Sequence, residues 1–415
     1  MNGTVHIIGA GLAGLSAALS LSERGKAVIV HEATTFAGGR CRSYHDASVG
    51  MTIDNGNHLL LSGNRAALDF LRRTGADHWL VGPDGAEFSF ADLASGERWT
   101  LRFNDGPLPF WIFDPSRRVP GTRPLDYLPL ARLLWAPAGK AVGEVIDCKG
   151  LLYQRLVEPL LVGALNIDPP LGSARLAAAI VRETLAVGGR ACRPLIAREG
   201  LGPTLIEPAL VRLQELGAAV RMEHQLRAIR LAAGRIEALE FADGSIELGD
   251  DDAAILAVPP YIAASLLPGI EVPTEFRAIV NAHFRIEPPA DAPGILGVLN
   301  ATVQWIFAFP GRVSVTISAG DRLIDTPREQ LAKAIWDEVA RVTGLPAMLP
   351  PWQIVRERRA TFAATPEQDA RRPGSATQWR NLVLAGDWTD TGLPATIEGA
   401  IRSGNSAADI VAKLP

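Results

Sequence analysis

Gly9-Ala10-Gly11-Leu12-Ala13-Gly14 constrains the fold of this chain more than any other stretch. It follows Val5-His6-Ile7-Ile8, a short apolar run that reads as a buried strand. Leu12, Leu15 and Leu19 then recur at helical spacing with alanines between them. The pattern stops at Arg24-Gly25, where glycine suits the left-handed position after a helix end. Ala27-Val28-Ile29-Val30 reads as a second strand, with Glu32 just past its end. Strand, tight glycine turn, helix, strand is the opening of a doubly wound α/β fold with parallel strands. In such a turn the first glycine allows the bend. The second lets the backbone approach a pyrophosphate, and the third lets helix and strand pack closely. The helix N-terminus offers free N–H groups to the phosphates. Glu32 is placed to accept bonds from ribose hydroxyls, and an acid there argues against a 2′-phosphate.

The motif alone does not choose between NAD and FAD. Phe36-Ala37-Gly38-Gly39-Arg40 adds a second glycine pair and a cation that can lie against a pyrophosphate. A late strand, Leu382-Val383-Leu384-Ala385, ends in Gly386-Asp387, a carboxylate suited to a polyol chain. The helix expected from about Thr396 to Ala412 would point its N-terminus at an isoalloxazine ring and stabilise negative charge at N1 and O2. NAD has no ribityl chain for Asp387 to hold, so these features favour FAD. The expected cofactor contacts are Gly9, Gly11, Leu12, Ala13, Gly14, Glu32, Gly38, Gly39, Arg40, Leu226, Gly386, Asp387, Thr396 and Ile397.

Elsewhere a helix is expected over 65–74, turn-rich strands over 80–125 and mainly helix over 125–190. Strands follow over 215–258, with a hairpin at Asp243-Gly244. Residues 295–320 alternate like sheet strands, and 332–342 are helical. Nucleotide-type signals lie at both ends and in the middle. The expected fold is therefore α/β, with a Rossmann-like FAD-binding domain built from segments 1–70, 190–260 and 375–415. An α+β substrate domain of segments 71–189 and 261–374 is interleaved with it.

Composition excludes several classes. In 415 residues, 47% are hydrophobic and 21% charged, so disorder and coiled coil are out. A net charge of −4 gives no basic field for nucleic acid. Cys41, Cys148 and Cys192 are too sparse for a disulfide framework and suit a reducing compartment. The histidines show no metal-ligand spacing. No leader pattern opens the chain and no apolar run is long enough to span a membrane. A cytoplasmic protein, in peripheral contact with the membrane at most, is expected.

Together, Val5 to Gly14, Gly38-Gly39-Arg40, Ala254-Ile255-Leu256-Ala257-Val258-Pro259 and Leu384-Ala385-Gly386-Asp387 resemble the FAD-dependent amine oxidase and carotenoid desaturase superfamily. The resemblance covers nearly the whole chain. Within the superfamily the chain is most similar to the hydroxysqualene dehydroxylases. That similarity is carried by the segments 39–44, 53–64, 158–166 and 385–400. It implies one FAD and a hydrophobic C30 terpenoid substrate. It also implies reductive removal of the hydroxyl of hydroxysqualene, giving squalene for hopanoid synthesis. Amine oxidases of the superfamily commonly place a lysine near flavin N5, whereas this chain has no lysine between Lys149 and Lys333. A polyene desaturase, running hydride the other way, and a non-catalytic flavin-bound scaffold are the competing readings. The electron donor is left open.

His58 is the candidate proton donor to a leaving hydroxyl, with Asn57 beside it. A structural role in a tight loop is the competing reading for both. Asp54 and Asn55-Gly56 share that loop, Cys41 reads as a small buried thiol, and Arg356, Arg358 and Arg359 as a solvated face. Over 107–135, Phe110, Trp111, Phe113, Leu128, Leu130, Leu133, Leu134 and Trp135 are interleaved with Arg117, Arg118, Arg123 and Arg132. This mixture suits either a substrate-domain core with exposed arginines or a surface that dips into a bilayer interface.

Overall fold

A computed structural model describes residues 3–232 and 234–414. Met1, Asn2, Ala233 and Pro415 lie outside the described residues, and with them the first two residues of the leader reading.

Five parallel strands form the nucleotide-side sheet, in the order Ala219–Arg221, Ala27–His31, Thr4–Ile8, Ala253–Leu256 and Leu382–Leu384. In the middle of the sheet Ile7 lies opposite Val30 on one side and Ile255 on the other. Apart from the exposed edge strand Ala219–Arg221, these strands are near-continuous apolar runs because both faces are covered. On one face the helix Leu12–Ser22 packs against Ile397–Val411 and Glu207–Glu215, and every residue of Leu12–Ser22 is buried. The alanines between its leucines are explained by that close packing. At its tightest point a Cβ on Gly404 would lie 2.2 Å from the Ala13 carbonyl oxygen. The other face meets Glu158–Leu165, Ala174–Glu183 and the strand Arg235–Phe241, all in one apolar core with Ile8, Leu256 and Leu384.

A second sheet has seven strands, ordered Trp352–Phe362, Phe276–Arg285, Arg312–Ile317, Trp305–Phe309, Ile295–Leu299, Glu87–Asp92 and Arg98–Arg102. Its pairs are antiparallel except for Ile295–Leu299 with Glu87–Asp92. The alternation over 295–320 is not between core and solvent. Leu296, Val298 and Ile306 enter the core beneath the helix Arg328–Thr343, whereas Ile295, Leu299, Trp305 and Phe307 enter an aromatic layer on the opposite face. Smaller sheets are formed by Ser43–Asp46 with Met51–Asp54, and by Leu59–Leu61 with Pro194–Ala197 and Leu80–Val81.

The fold is thus a mixed α/β architecture whose nucleotide-side strands come from four separated stretches of chain. The hairpin at Asp243-Gly244 forms, pairing Phe241 with Gly244. Helix over 125–190 is more broken than expected. It comprises a 3₁₀ stretch at Pro124–Trp135, a short turn at Val142–Val145 and the helices Glu158–Leu165 and Ala174–Glu183. Proline at 124, 129 and 137, together with Gly139, removes donors or favours turns there.

Candidate functional site

The glycine turn is shaped as its spacing requires. Gly9 has φ of 108°, and a Cβ there would lie 2.5 Å from the Ala257 carbonyl oxygen. A Cβ on Gly14 would lie 1.9 Å from the Gly9 carbonyl oxygen. Gly11 differs. It is the N-cap of Leu12–Ser22, no side chain caps it, and a Cβ there would meet nothing within 4 Å. Gly39 closes the opposite wall, its ideal Cβ 3.6 Å from the Gly11 Cα, and the Gly38 N–H donates to the Ala10 carbonyl at 2.8 Å. Two glycine backbones therefore meet edge to edge at an uncapped helix N-terminus, a slot free of side chains whose polarity a pyrophosphate fits. Glu32 stands at the end of its strand, accepting from Ala10 N–H at 2.9 Å and from the Thr34 N–H and hydroxyl. Leu12 and Ala13 open the helix and are buried.

Arg40 and Asp387, far apart in sequence, form one ion pair at 2.6 Å, and Arg40 also donates to the Ala360 carbonyl. Burial works against the Arg40 charge, but Asp387 outweighs it and holds the guanidinium pKa above its ordinary value. The Gly386 N–H donates to Ser403 Oγ at 2.8 Å. Thr396 is the N-cap of Ile397–Val411, its hydroxyl accepting from Gly399 N–H at 3.0 Å. The side chains of Leu226 and Ile397 sit in the apolar cores, so any polar contact from these two residues would be through their backbones.

The turn that carries His58 is held from below by the seven-stranded sheet. Asn281 accepts from the Thr316 hydroxyl at 2.8 Å and from Asn57 N–H at 3.4 Å, and donates to the Asn55 carbonyl at 3.4 Å. Asn57 donates to the Val315 carbonyl and to Thr316 Oγ1, and among the described residues its Oδ1 has no partner. Those bonds are a structural explanation for Asn57. Asn55 donates to Glu357 at 3.2 Å. Asp54 accepts from Ser43 Oγ and Leu201 N–H, with Arg312 3.6 Å away. Burial pushes the His58 imidazole down to about 4; Asp54 opposes this and Arg40 adds to it. His58 is therefore neutral near pH 7. Burial likewise pushes the Cys41 thiol up to about 12, so it is no thiolate.

Comparison with known proteins gives this geometry a family. Residues 12–412 match the family described as flavin containing amine oxidoreductase. The chain belongs to that family. It is similar to a hydroxysqualene dehydroxylase from Rhodopseudomonas palustris, 60% identical with 99% of each chain covered. A second hydroxysqualene dehydroxylase, from Sinorhizobium fredii, is 58% identical over 98% of this chain and 97% of its own. Among solved structures, cyclohexylamine oxidase from Brevibacterium oxydans shares the fold, with a TM-score of 0.73 at 16% identity over 100% of this chain and 99% of that one. The cofactor of this flavoprotein is FAD.

Three features of the flavoprotein were not legible as sequence motifs. Glu357, Asn281 and Arg312 reach the His58 turn from strands more than 200 residues away. Beneath Glu32, three imidazoles stack in a row that ends on a carboxylate. Asp243 accepts from His224 Nε2 at 3.0 Å. His224 Nδ1 and His31 Nδ1 lie 2.8 Å apart, and His31 Nε2 and His6 Nδ1 3.0 Å apart, so His31 bridges the other two rings. Burial, reinforced by His6 and His224, pushes His31 down to about 3.

The arginine run is also not simply solvated. Arg356 donates to the Thr326 carbonyl, Arg358 pairs with Asp325, and the Arg359 guanidinium lies 4.3 Å from the Tyr261 ring centroid. Over 107–135 the apolar residues divide. Trp111, Tyr127 and Leu133 are buried, whereas Phe110, Phe113, Leu128 and Trp135 are exposed. Among the described residues no helix is long and apolar enough to cross a membrane, and no cluster of histidine, cysteine or acidic residues could hold a metal ion.

Proposed function

We propose that this flavoprotein is a hydroxysqualene dehydroxylase, replacing the hydroxyl of a C30 allylic alcohol with hydrogen to give squalene. The observation that carries the reading is 60% identity to an enzyme of that name along essentially the full length of both chains. Amine oxidation fits less well, because no lysine lies between Lys149 and Lys333 to serve the flavin from the middle of the chain.

Bound FAD, once reduced, supplies the hydride from N5. The chain does the rest. The Gly11–Gly39 slot and the first turn of Leu12–Ser22 would take the pyrophosphate, with Arg40 as its cation. Glu32 would hold the ribose and Asp387 the ribityl hydroxyls. The N-terminus of Ile397–Val411, capped by Thr396, would stabilise negative charge on the flavin ring. Segments 71–189 and 261–374 form the substrate side, whose aromatic layer excludes water while hydroxide leaves. His58 faces the leaving hydroxyl. As a neutral imidazole it donates an N–H or orients a water, and it is not a stored proton. We infer a cytoplasmic protein that meets its oily substrate at a bilayer surface without spanning it.

The test is anaerobic. Photoreduced enzyme is mixed with hydroxysqualene, and flavin reoxidation and squalene are followed together. Squalene appearing in step with reoxidation is the expected result. No reoxidation there, together with bleaching of the oxidised enzyme by a polyene precursor, would replace this reading with desaturation.

A further inference from the structure

The stretch 108–135 presents an apolar face that none of the described residues covers. Leu108, Phe110, Phe113, Leu125, Leu128 and Trp135 are each 61–77% exposed. Their exposure follows from the backbone. Pro124–Trp135 is a 3₁₀ stretch, and with three residues per turn every third side chain shares a face. Tyr127, Leu130 and Leu133 face the protein, while Leu125, Leu128 and Ala131 stand one residue out of phase and face away. The neighbouring turn Phe110–Phe113 is fastened to this stretch. Trp111 meets Tyr127 edge-on at 5.3 Å between ring centroids, and Arg118 donates to the Ile112 carbonyl. Phe110 and Phe113, which flank the anchored Trp111 and Ile112, are thereby left exposed. This is an ordered, fastened surface rather than a frayed loop.

Its charge is opposite to that of the molecule. Residues 107–135 hold four arginines and two aspartates, a net of +2, in a chain of net −4. Arg117 donates to the Arg102 and Phe103 carbonyls and Arg118 to the Ile112 carbonyl. Arg123 and Arg132 are exposed; Asp126 accepts from the Arg123 backbone N–H, but among the described residues no ion pair holds either guanidinium. Exposed aromatic and aliphatic side chains ringed by unpaired arginines match the two layers of a bilayer interface, acyl chains below and anionic headgroups above.

We propose that this face is the docking surface of the enzyme on an anionic lipid bilayer, with Phe110, Phe113 and Leu128 inserting and Arg123 and Arg132 meeting the phosphates. The proposal deepens the functional reading above and takes from it the oily substrate that gives docking its purpose.

Holoprotein is sedimented with vesicles of phosphatidylcholine, alone or mixed with phosphatidylglycerol. The native protein should bind the mixed vesicles and release as salt is raised. Phe110→Ser/Phe113→Ser/Leu128→Ser should lower binding at least about tenfold. Arg123→Gln/Arg132→Gln should lower binding to mixed vesicles at least about tenfold, down to the level on neutral ones. Both variants should keep the native far-UV circular dichroism and FAD content. Native protein that ignores the vesicles, or a triple-serine variant that binds like the native, overturns the proposal. A dimer abolished by the triple substitution, without any vesicle binding, assigns the face to a second copy of the chain and also overturns it. Turnover of hydroxysqualene in detergent separates the two readings. Turnover without vesicle binding removes the docking surface and leaves the reaction, whereas vesicle binding without turnover does the reverse.

Discussion

The two sides of this enzyme are built by different means. The cofactor side is a backbone structure. Gly9, Gly11, Gly14, Gly38 and Gly39 lie within 31 residues of one another and act by lacking a side chain. The turn that carries His58 is a side-chain structure. Asn57 is held by Val315 and Thr316, and Asn55 by Asn281 and Glu357, across more than 200 residues of chain. A backbone cradle fails when an atom is added, and a side-chain clamp fails when one is removed.

The largest expected effect breaks the comparison within one motif. Gly14→Ala sets a methyl 1.9 Å from a carbonyl of the backbone, which cannot move aside as a side chain could. It should lower stability by about 4 kcal/mol or more and yield no folded holoprotein. Gly11→Ala adds the same methyl where nothing lies within 4 Å. Its melting temperature should match the native, while its FAD affinity falls at least about tenfold. Equal behaviour of the two variants would show that the slot is not where the cofactor binds.

Next come the two carboxylates assigned to cofactor hydroxyls. Glu32→Gln and Asp387→Asn each weaken a charged hydrogen bond worth about 1.5–3 kcal/mol, so FAD retention on dialysis should drop roughly ten- to a hundredfold. Native flavin content in either variant would remove that residue from the cradle.

Acid should act on both sides by a similar amount. His31, beside Glu32, and His283, on the strand Phe276–Arg285 beneath the His58 turn, are each pushed by burial to about 3. Their unfolded-state pKa is near 6.5, so below that pH the unfolded chain takes protons the folded chain refuses. The stability contributed by each neutral imidazole is present above pH 6.5 and is lost as pH falls toward 3. The loss is about 1.4 kcal/mol per pH unit, or about 2 kcal/mol by pH 5. Urea midpoints at pH 7 and pH 5 measure this. His31→Gln and His283→Gln should each flatten the slope by about one proton, and an unchanged slope in either would mean that histidine charges in place.

The smallest effect is expected at His58. A neutral imidazole that only donates or orients a water contributes less than a true general acid, so His58→Ala should slow single-turnover squalene formation about tenfold. A hundredfold or greater loss would mean that cofactor or substrate raises its pKa on binding. No loss would leave the turn purely structural.

What could be read in advance follows this same division. Strand, glycine turn, helix and acid lie in one continuous stretch, so the cradle was legible from local spacing. The position of Asp387 at the end of a buried strand was legible because an apolar run ending in glycine precedes it. Nothing local announces that Arg40 pairs with Asp387, that Asn281 grips the His58 turn or that three histidines stack beneath Glu32. Those partners are brought together by sheet order, which local patterns do not encode. The 107–135 stretch was legible as a mixture but not as a surface, because the 3₁₀ period that turns Leu125 and Leu128 outward is set by packing against Trp111 and by its prolines.

By itself, then, the sequence determined the nucleotide-binding opening, its parallel strands, the glycine slot and the preference for FAD. Each depends on a backbone conformation that neighbouring residues dictate. Only the tertiary structure decided which polar groups meet, which histidines stay neutral and which aromatic residues face outward. Those outcomes depend on burial and on contacts between distant strands, and both exist only once the sheets have paired.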